Sequence, residues 1–144
     1  MGVHDALVMR RTILDTIDRA TTDLLVVGYM IDDPQIVDKI CSKAGSMLTE
    51  VHVDRKQTMA YRSAMDAVSK MERAGAVVTM HDEGRRESLH AKVIVADAKE
   101  AIVGSANLTS RGADRNYEIG IRVRGPSARN LREALRKTLG VSDG

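Results

Sequence analysis

The chain has 144 residues, 43% hydrophobic and 29% charged, a balance that excludes a disordered chain and gives a single domain enough apolar surface for a core. There is no Trp or Phe and only three Tyr, which removes the usual aromatic anchors for a membrane interface and the platforms on which single-stranded bases stack. The lone cysteine, Cys41, excludes an internal disulfide and a Cys-based zinc site, and reads as a buried, inert thiol in a reducing compartment. Net charge is +2, yet Arg and Lys gather at Arg85 and Arg86, from Arg111 to Arg124 and from Arg129 to Lys137. That clustering suits a polyanionic partner, although charge alone fits a solvated surface equally well. No apolar run is long enough for a signal peptide or a membrane span, so the reading is a cytoplasmic protein with no stable membrane association.

In chain order, Ala6, Ile13, Ile17 and Ala20, flanked by Leu7 and Leu14, predict an amphipathic helix between His4 and Ala20. Asp23 to Met30 reads as a strand. Asp32-Asp33-Pro34 opens a second helix that runs to Gly45. Glu50 to Asp54 reads as a strand, and Gln57 to Ala74 as one helix closed by Gly75. Strands follow at residues 76–80, 91–96, 101–103 and 117–123. Gly125-Pro126 starts a last helix with Ala128, Leu131, Leu135 and Leu139 on one face. Alternating helices and strands followed by closely spaced strands predict an α/β fold, a mixed β-sheet sandwiched between helices. Residues 1–144 read as one domain, either a whole protein or part of a longer one.

The chemistry concentrates in SLHAKVIVADAKEAIVGSAN, residues 88–107. Side chains alternate across a strand, so His90 and Lys92 share a face with Ile94, while Asp97 has the opposite parity and lies roughly 23 Å from His90 along the chain. Asp97-Ala98-Lys99-Glu100 reads as a four-residue turn with Asp at its favoured first position. With Asp97 facing Glu100, Lys92 falls opposite Ser105 and His90 opposite Asn107, each pair sharing a sheet face at a Cβ separation of about 4.5–5.5 Å. The result is a pocket holding an imidazole, an ammonium, a hydroxyl and a carboxamide beside Gly104, whose missing side chain allows close backbone approach. Such a set suits a tetrahedral anion: the donors stabilise the non-bridging oxygens while imidazole attacks phosphorus.

These residues resemble the phospholipase D superfamily, whose motif runs His-x-Lys, four residues, Asp, six residues, Gly-Ser-x-Asn. Here it stands complete as His90, Lys92, Asp97, Gly104, Ser105 and Asn107, and the NYEIGI stretch containing Glu118 is similar to the family's continuation. The resemblance implies a phospholipase D-like fold and a catalytic set of His90, Lys92, Asn107, Ser105, Glu118 and Asp97. In that set His90 is the nucleophile and forms a phosphohistidine, and Lys92, Ser105 and Asn107 hold the phosphate. Glu118 accepts a hydrogen bond from the other nitrogen of His90, and Asp97 is a structural member. The family needs no metal or other cofactor.

In-line displacement puts nucleophile and leaving group on opposite sides of phosphorus, so His90 cannot attack and also protonate the departing oxygen in one step. The sequence has a single copy of the motif, and His4, His52 and His81 are poor candidates for the acid. Two-fold pairing of chains would bring two copies of His90 to one phosphate, and single-motif relatives include homodimeric nucleases. The expected function is therefore a metal-independent nuclease, an endonuclease, acting at a homodimer interface on nucleic acid, DNA in preference to RNA. Arg111 and Arg115, joined by Arg122 and Arg124, would contact the substrate backbone. The rivals are phospholipid cleavage or transfer in the same pocket, and a non-catalytic nucleic-acid-binding domain of a larger protein.

Overall fold

The computed structural model describes residues 6–82, 91–104, 108–109 and 120–141, with side chains from Met9 onward. Helix α1 (Ala6–Arg19) leads into β1 (Asp23–Val27), α2 (Pro34–Ala44) and β2 (Leu48–Asp54). Two helices, α3 (Arg55–Met59) and α4 (Arg62–Ala74), precede β3 (Val77–His81). The chain then forms β4 (Val93–Ala96), β5 (Glu100–Gly104), β6 (Gly120–Arg124) and α5 (Pro126–Thr138). The six strands make one sheet in the order β3-β2-β1-β4-β5-β6. β1, β2 and β3 are mutually parallel because helices carry the chain back between them, whereas β4 pairs antiparallel with both β1 and β5, and β5 with β6.

Period-two alternation splits the central strands between two cores. Leu24, Val26, Ile94 and Ile102 pack with Ile13 and Ile17 of α1, Ile36 and Ile40 of α2, and Val68 and Met71 of α4. Leu25, Val27, Val93, Val95 and Ala101 face the other way, against Ala128, Leu131 and Leu135 of α5 and the adjoining Leu139. The fold is thus the mixed sheet between helices that the sequence predicts. Polar ties reinforce the layers: Arg136 of α5 donates to Glu50 at 3.1 Å, and Glu50 is 4% exposed.

The start of α2 is fixed as the Asp-Pro signal predicts. Asp33 caps it, accepting from the amides of Gln35 at 3.0 Å and Ile36 at 3.2 Å, and its carboxylate is also held by both terminal guanidinium nitrogens of Arg10 on α1. Asp33→Ala removes a helix cap and a buried ion pair together. The expected loss is about 3 kcal/mol of unfolding free energy, to be read from urea denaturation. A loss under about 1 kcal/mol would mean that the pair does not hold α1 to α2.

Two expectations are corrected. The single helix over 57–74 is instead two, because the buried faces do not align. Thr58 lies about 120° around a continuous helix from the Ala64, Ala67, Val68 and Met71 stripe, so both can be buried only if the chain breaks. Tyr61 adopts an extended conformation at the break, with φ −130° and ψ 126°. The β4–β5 turn is also one residue longer than expected. Its register runs from Val93 with Val103 to Ala96 with Glu100, so Asp97 does not face Glu100, and Lys92 falls opposite Gly104 rather than Ser105. The cause lies in the turn: Asp97 and Ala98 both take left-handed φ values, 60° and 53°, and the Lys99 amide bonds back to the Ala96 carbonyl at 3.0 Å.

Candidate phosphodiester site

Lys92, Asp97 and Gly104 of the predicted site lie among the described residues, whereas His90, Ser105, Asn107, Arg111, Arg115 and Glu118 lie outside them. Lys92 is half-buried just before β4, and its carbonyl accepts the Gly104 amide at 3.1 Å, continuing the hairpin by one pair. Because Lys92 keeps the parity of Ile94 and Gly104 that of Ile102, both belong to the face covered by α1. They line one cleft with Met9, Ile13, Ile94, Ile102 and Leu108. Apart from Lys92 and Gly104 the lining is apolar. The expected opposition of Lys92 to Ser105 does not carry over, since the register sets Lys92 against Gly104, and the expected opposition of His90 to Asn107 lies outside the described residues.

The next described residue after Gly104 is Leu108, 3% exposed, which makes a parallel bridge with Ile31. Its carbonyl accepts the amides of Asp32 at 3.0 Å and Asp33 at 3.2 Å. The segment following β1 and the segment following β5 are therefore stitched together beside Lys92. Gly28 makes room: a Cβ there would lie 3.3 Å from Cγ1 of Ile31 and 3.5 Å from Cδ1 of Leu108. Sequence reasoning missed Leu108, as it missed Met9, although Met9 stands one helical step before Ile13 and continues its stripe.

Asp97 sits at the opposite end of β4 from Lys92. Its carboxylate accepts the backbone amides of Thr21, Thr22 and Asp23 and the hydroxyls of Thr21 and Thr22, at 2.7–3.2 Å. Burial pushes its pKa up, but these hydrogen bonds outweigh burial and bring it down to about 2. Asp97 thus fastens the α1–β1 turn to the β4–β5 turn.

Neither described histidine stands near Lys92. His52 is 2% exposed and lies on the α5 face, with Nδ1 2.8 Å from Nε2 of His81. Burial, then the neighbouring charges of His81 and Arg136, lower its pKa to about 4. His4 lies outside the described residues. Among the described residues no three His, Cys, Asp or Glu side chains gather as a metal site, and no helix is long and apolar enough to cross a membrane. Cys41 is half-buried against the core rather than fully buried, and burial raises the pKa of its thiol.

The six-stranded mixed sheet flanked by helices is the fold of solved phospholipase D proteins. It superposes with a TM-score of 0.82 on a phospholipase D family member, Nuc from Salmonella typhimurium, at 21% identity over 91% of this chain and 86% of that one. NucT from Helicobacter pylori gives 0.79 at 16% identity, over 91% and 87%. At such identities the likeness is one of fold. Membership follows from sequence: a family profile described as "Cardiolipin synthase, PLD-like domain" matches residues 13–139, and the chain belongs to that phospholipase D-like family. The DISARM protein DrmC of Bacillus paralicheniformis is 31% identical over 134 residues, covering 88% of this chain and 55% of that protein. The chain therefore spans about half the length of that relative.

Proposed function

We propose that the chain is a metal-independent phosphodiesterase that cleaves nucleic acid through a phosphohistidine, with the site completed by a second copy of the chain. The observation that carries this reading is the meeting of Lys92 and Gly104 in one cleft, next to Leu108, within an intact motif. In the first step a nitrogen of His90 bonds to phosphorus, the P–O bond to the leaving group breaks, and His90 of the partner subunit gives that oxygen a proton. In the second, water attacks phosphorus, the P–N bond breaks, and the proton lost by water returns to His90 of the partner subunit. Lys92, Ser105 and Asn107 stabilise the charge on the non-bridging oxygens, and Glu118 holds the tautomer of His90. Cleavage of plasmid and oligonucleotide in excess EDTA is the expected result, with labelled phosphate trapped on His90 after a denaturing quench. No cleavage across a wide pH range would sink the proposal. Sedimentation should give a dimer at assay concentrations, and an active monomer would remove the shared site.

The wording of the matched profile, which names cardiolipin synthase, favours a second reading, phospholipid cleavage or transfer. Release of headgroup from anionic liposomes, with oligonucleotides untouched, is the result that reading requires.

A further inference from the structure

We infer that Arg122 and Arg124 of β6, together with Arg19 of α1, form a track along which the backbone of a nucleic-acid strand runs away from the Lys92 cleft. The inference rests on the nucleic-acid reading above and sharpens its substrate class: a track has work to do only on a polymer of phosphodiesters, since a lipid brings a single one.

The β5–β6 register sets Gly120 beside Gly104, Arg122 beside Ile102 and Arg124 beside Glu100. Ile102 packs into the core under α1, so Gly104, Gly120, Arg122 and Arg124 share the sheet face on which Lys92 lies. Gly120 keeps the head of the track low, since an added Cβ would run into the thioether of Met9. From Gly120 the two arginines follow at roughly 7 and 13 Å along the strand, steps on the scale of successive phosphates in an extended nucleic-acid chain. Among the described residues β6 is an edge strand, and the side chains of Arg122 and Arg19 are 36% and 47% exposed.

Glu100 orders these cations without using them up. Its carboxylate accepts from Nη2 of Arg19 at 2.6 Å and pairs with Nε of Arg122 at 3.1 Å, with Arg124 close enough to act on it electrostatically. Each guanidinium carries five N–H donors, and a carboxylate with about four acceptor sites cannot occupy three such groups. Asp15, one turn before Arg19, also acts on it electrostatically. The donors of these guanidiniums thus exceed what Glu100 can accept, and Lys92 lies on the same face at the head of the track. Guanidiniums already held in place lose less freedom when a phosphate arrives.

The plainer alternative is that Arg122 merely neutralises Glu100. It is separated by comparing wild type, R122Q/R124Q, R122K/R124K and, as a remote control, K70Q on α4, each first shown to be folded by thermal melting. Binding of a fluorescent single-stranded dodecamer is followed over a range of salt. Cleavage efficiency is measured for that dodecamer and for bis(p-nitrophenyl) phosphate, a diester too small to reach the track. The glutamine pair should weaken dodecamer binding roughly 10- to 100-fold and lower the log–log salt slope by about 1.4, the loss of two single-strand phosphate contacts. The ratio of dodecamer to small-diester efficiency should fall by a similar factor. The lysine pair should keep most of the slope, and K70Q should match wild type. An unchanged slope and ratio in folded R122Q/R124Q would overturn the track and leave the nuclease reading standing. Wild type that cleaves neither substrate would overturn the nuclease reading, and the binding measurement would still decide the track.

Discussion

His90→Ala is expected to lower turnover on any phosphodiester by roughly 10⁴-fold or more, because it removes the atom that bonds to phosphorus and not merely one stabilising contact. Substrate binding should persist, since Lys92 and the surface arginines remain. Sharing of the site gives a sharper form of the test. If one imidazole attacks while its counterpart donates a proton, a mixed dimer of wild-type and His90→Ala subunits lacks one of the two groups at every step and should be inactive. Full activity per wild-type subunit in such mixtures would contradict shared catalysis. If the site is shared in this way, the two imidazoles should titrate as a unit, so that the rate rises and then falls with pH, with both limbs belonging to the pair. A rate that rises to a plateau and never falls would mean that no protonated partner is needed.

Asp97→Ala should cost stability and spare chemistry. Three amides and two hydroxyls converge on this carboxylate, and hydrogen bonds to an ionised group contribute about 1.5–3 kcal/mol. Partial exposure lowers the net figure, so the expected loss is about 2–3 kcal/mol, a fall in Tm on the order of 10 °C. The pH dependence has a definite sign. The native pKa of about 2 lies below the ordinary 3.8, so folding favours the ionised form. That stability is fully present above the unfolded-state pKa and drains away as pH falls from about 4 through 2. Asp97→Asn should flatten the loss of stability over that window in urea titrations, and an unchanged profile would show that the hydrogen bonds are not made in solution. Asp97→Ala that folds at low temperature yet has lost turnover would overturn the structural role.

What was legible in the sequence was what local periodicity encodes. Leu24 to Val27 are apolar on both faces, as a central strand must be, and Ala128, Leu131, Leu135 and Leu139 mark the one face that α5 buries. The Asp33 cap, the Gly75 terminus of α4 and the Gly125-Pro126 start of α5 were equally local signals. The break at Tyr61 was not, because no proline, glycine or capping side chain marks it; the conflict between two buried faces appears only once the sheet exists. The hairpin register escaped for a similar reason. Ala98 has no special preference for left-handed φ, and it takes that conformation where the carboxylate of Asp97 is drawn to Thr21 and Thr22, remote in sequence. For the site, strand alternation placed Lys92 on the face of Ile94, but the expected register set it opposite Ser105 rather than Gly104. It could not reveal Leu108 clasped by Asp32 and Asp33, or Glu100 shared by Arg19 and Arg122, because those partners are set by tertiary packing alone.

The clasp between Ile31 and Leu108 has a consequence for when the Lys92 cleft is complete. Its halves, Ile31 and Leu108, are far apart in sequence, so it can close only after the intervening loop entropy has been overcome, late in folding. A nascent chain that has emerged only as far as β4 holds the Lys92 strand but not the residues that complete the clasp. The cleft that holds Lys92 is then incomplete in the growing chain until synthesis has run past Leu108.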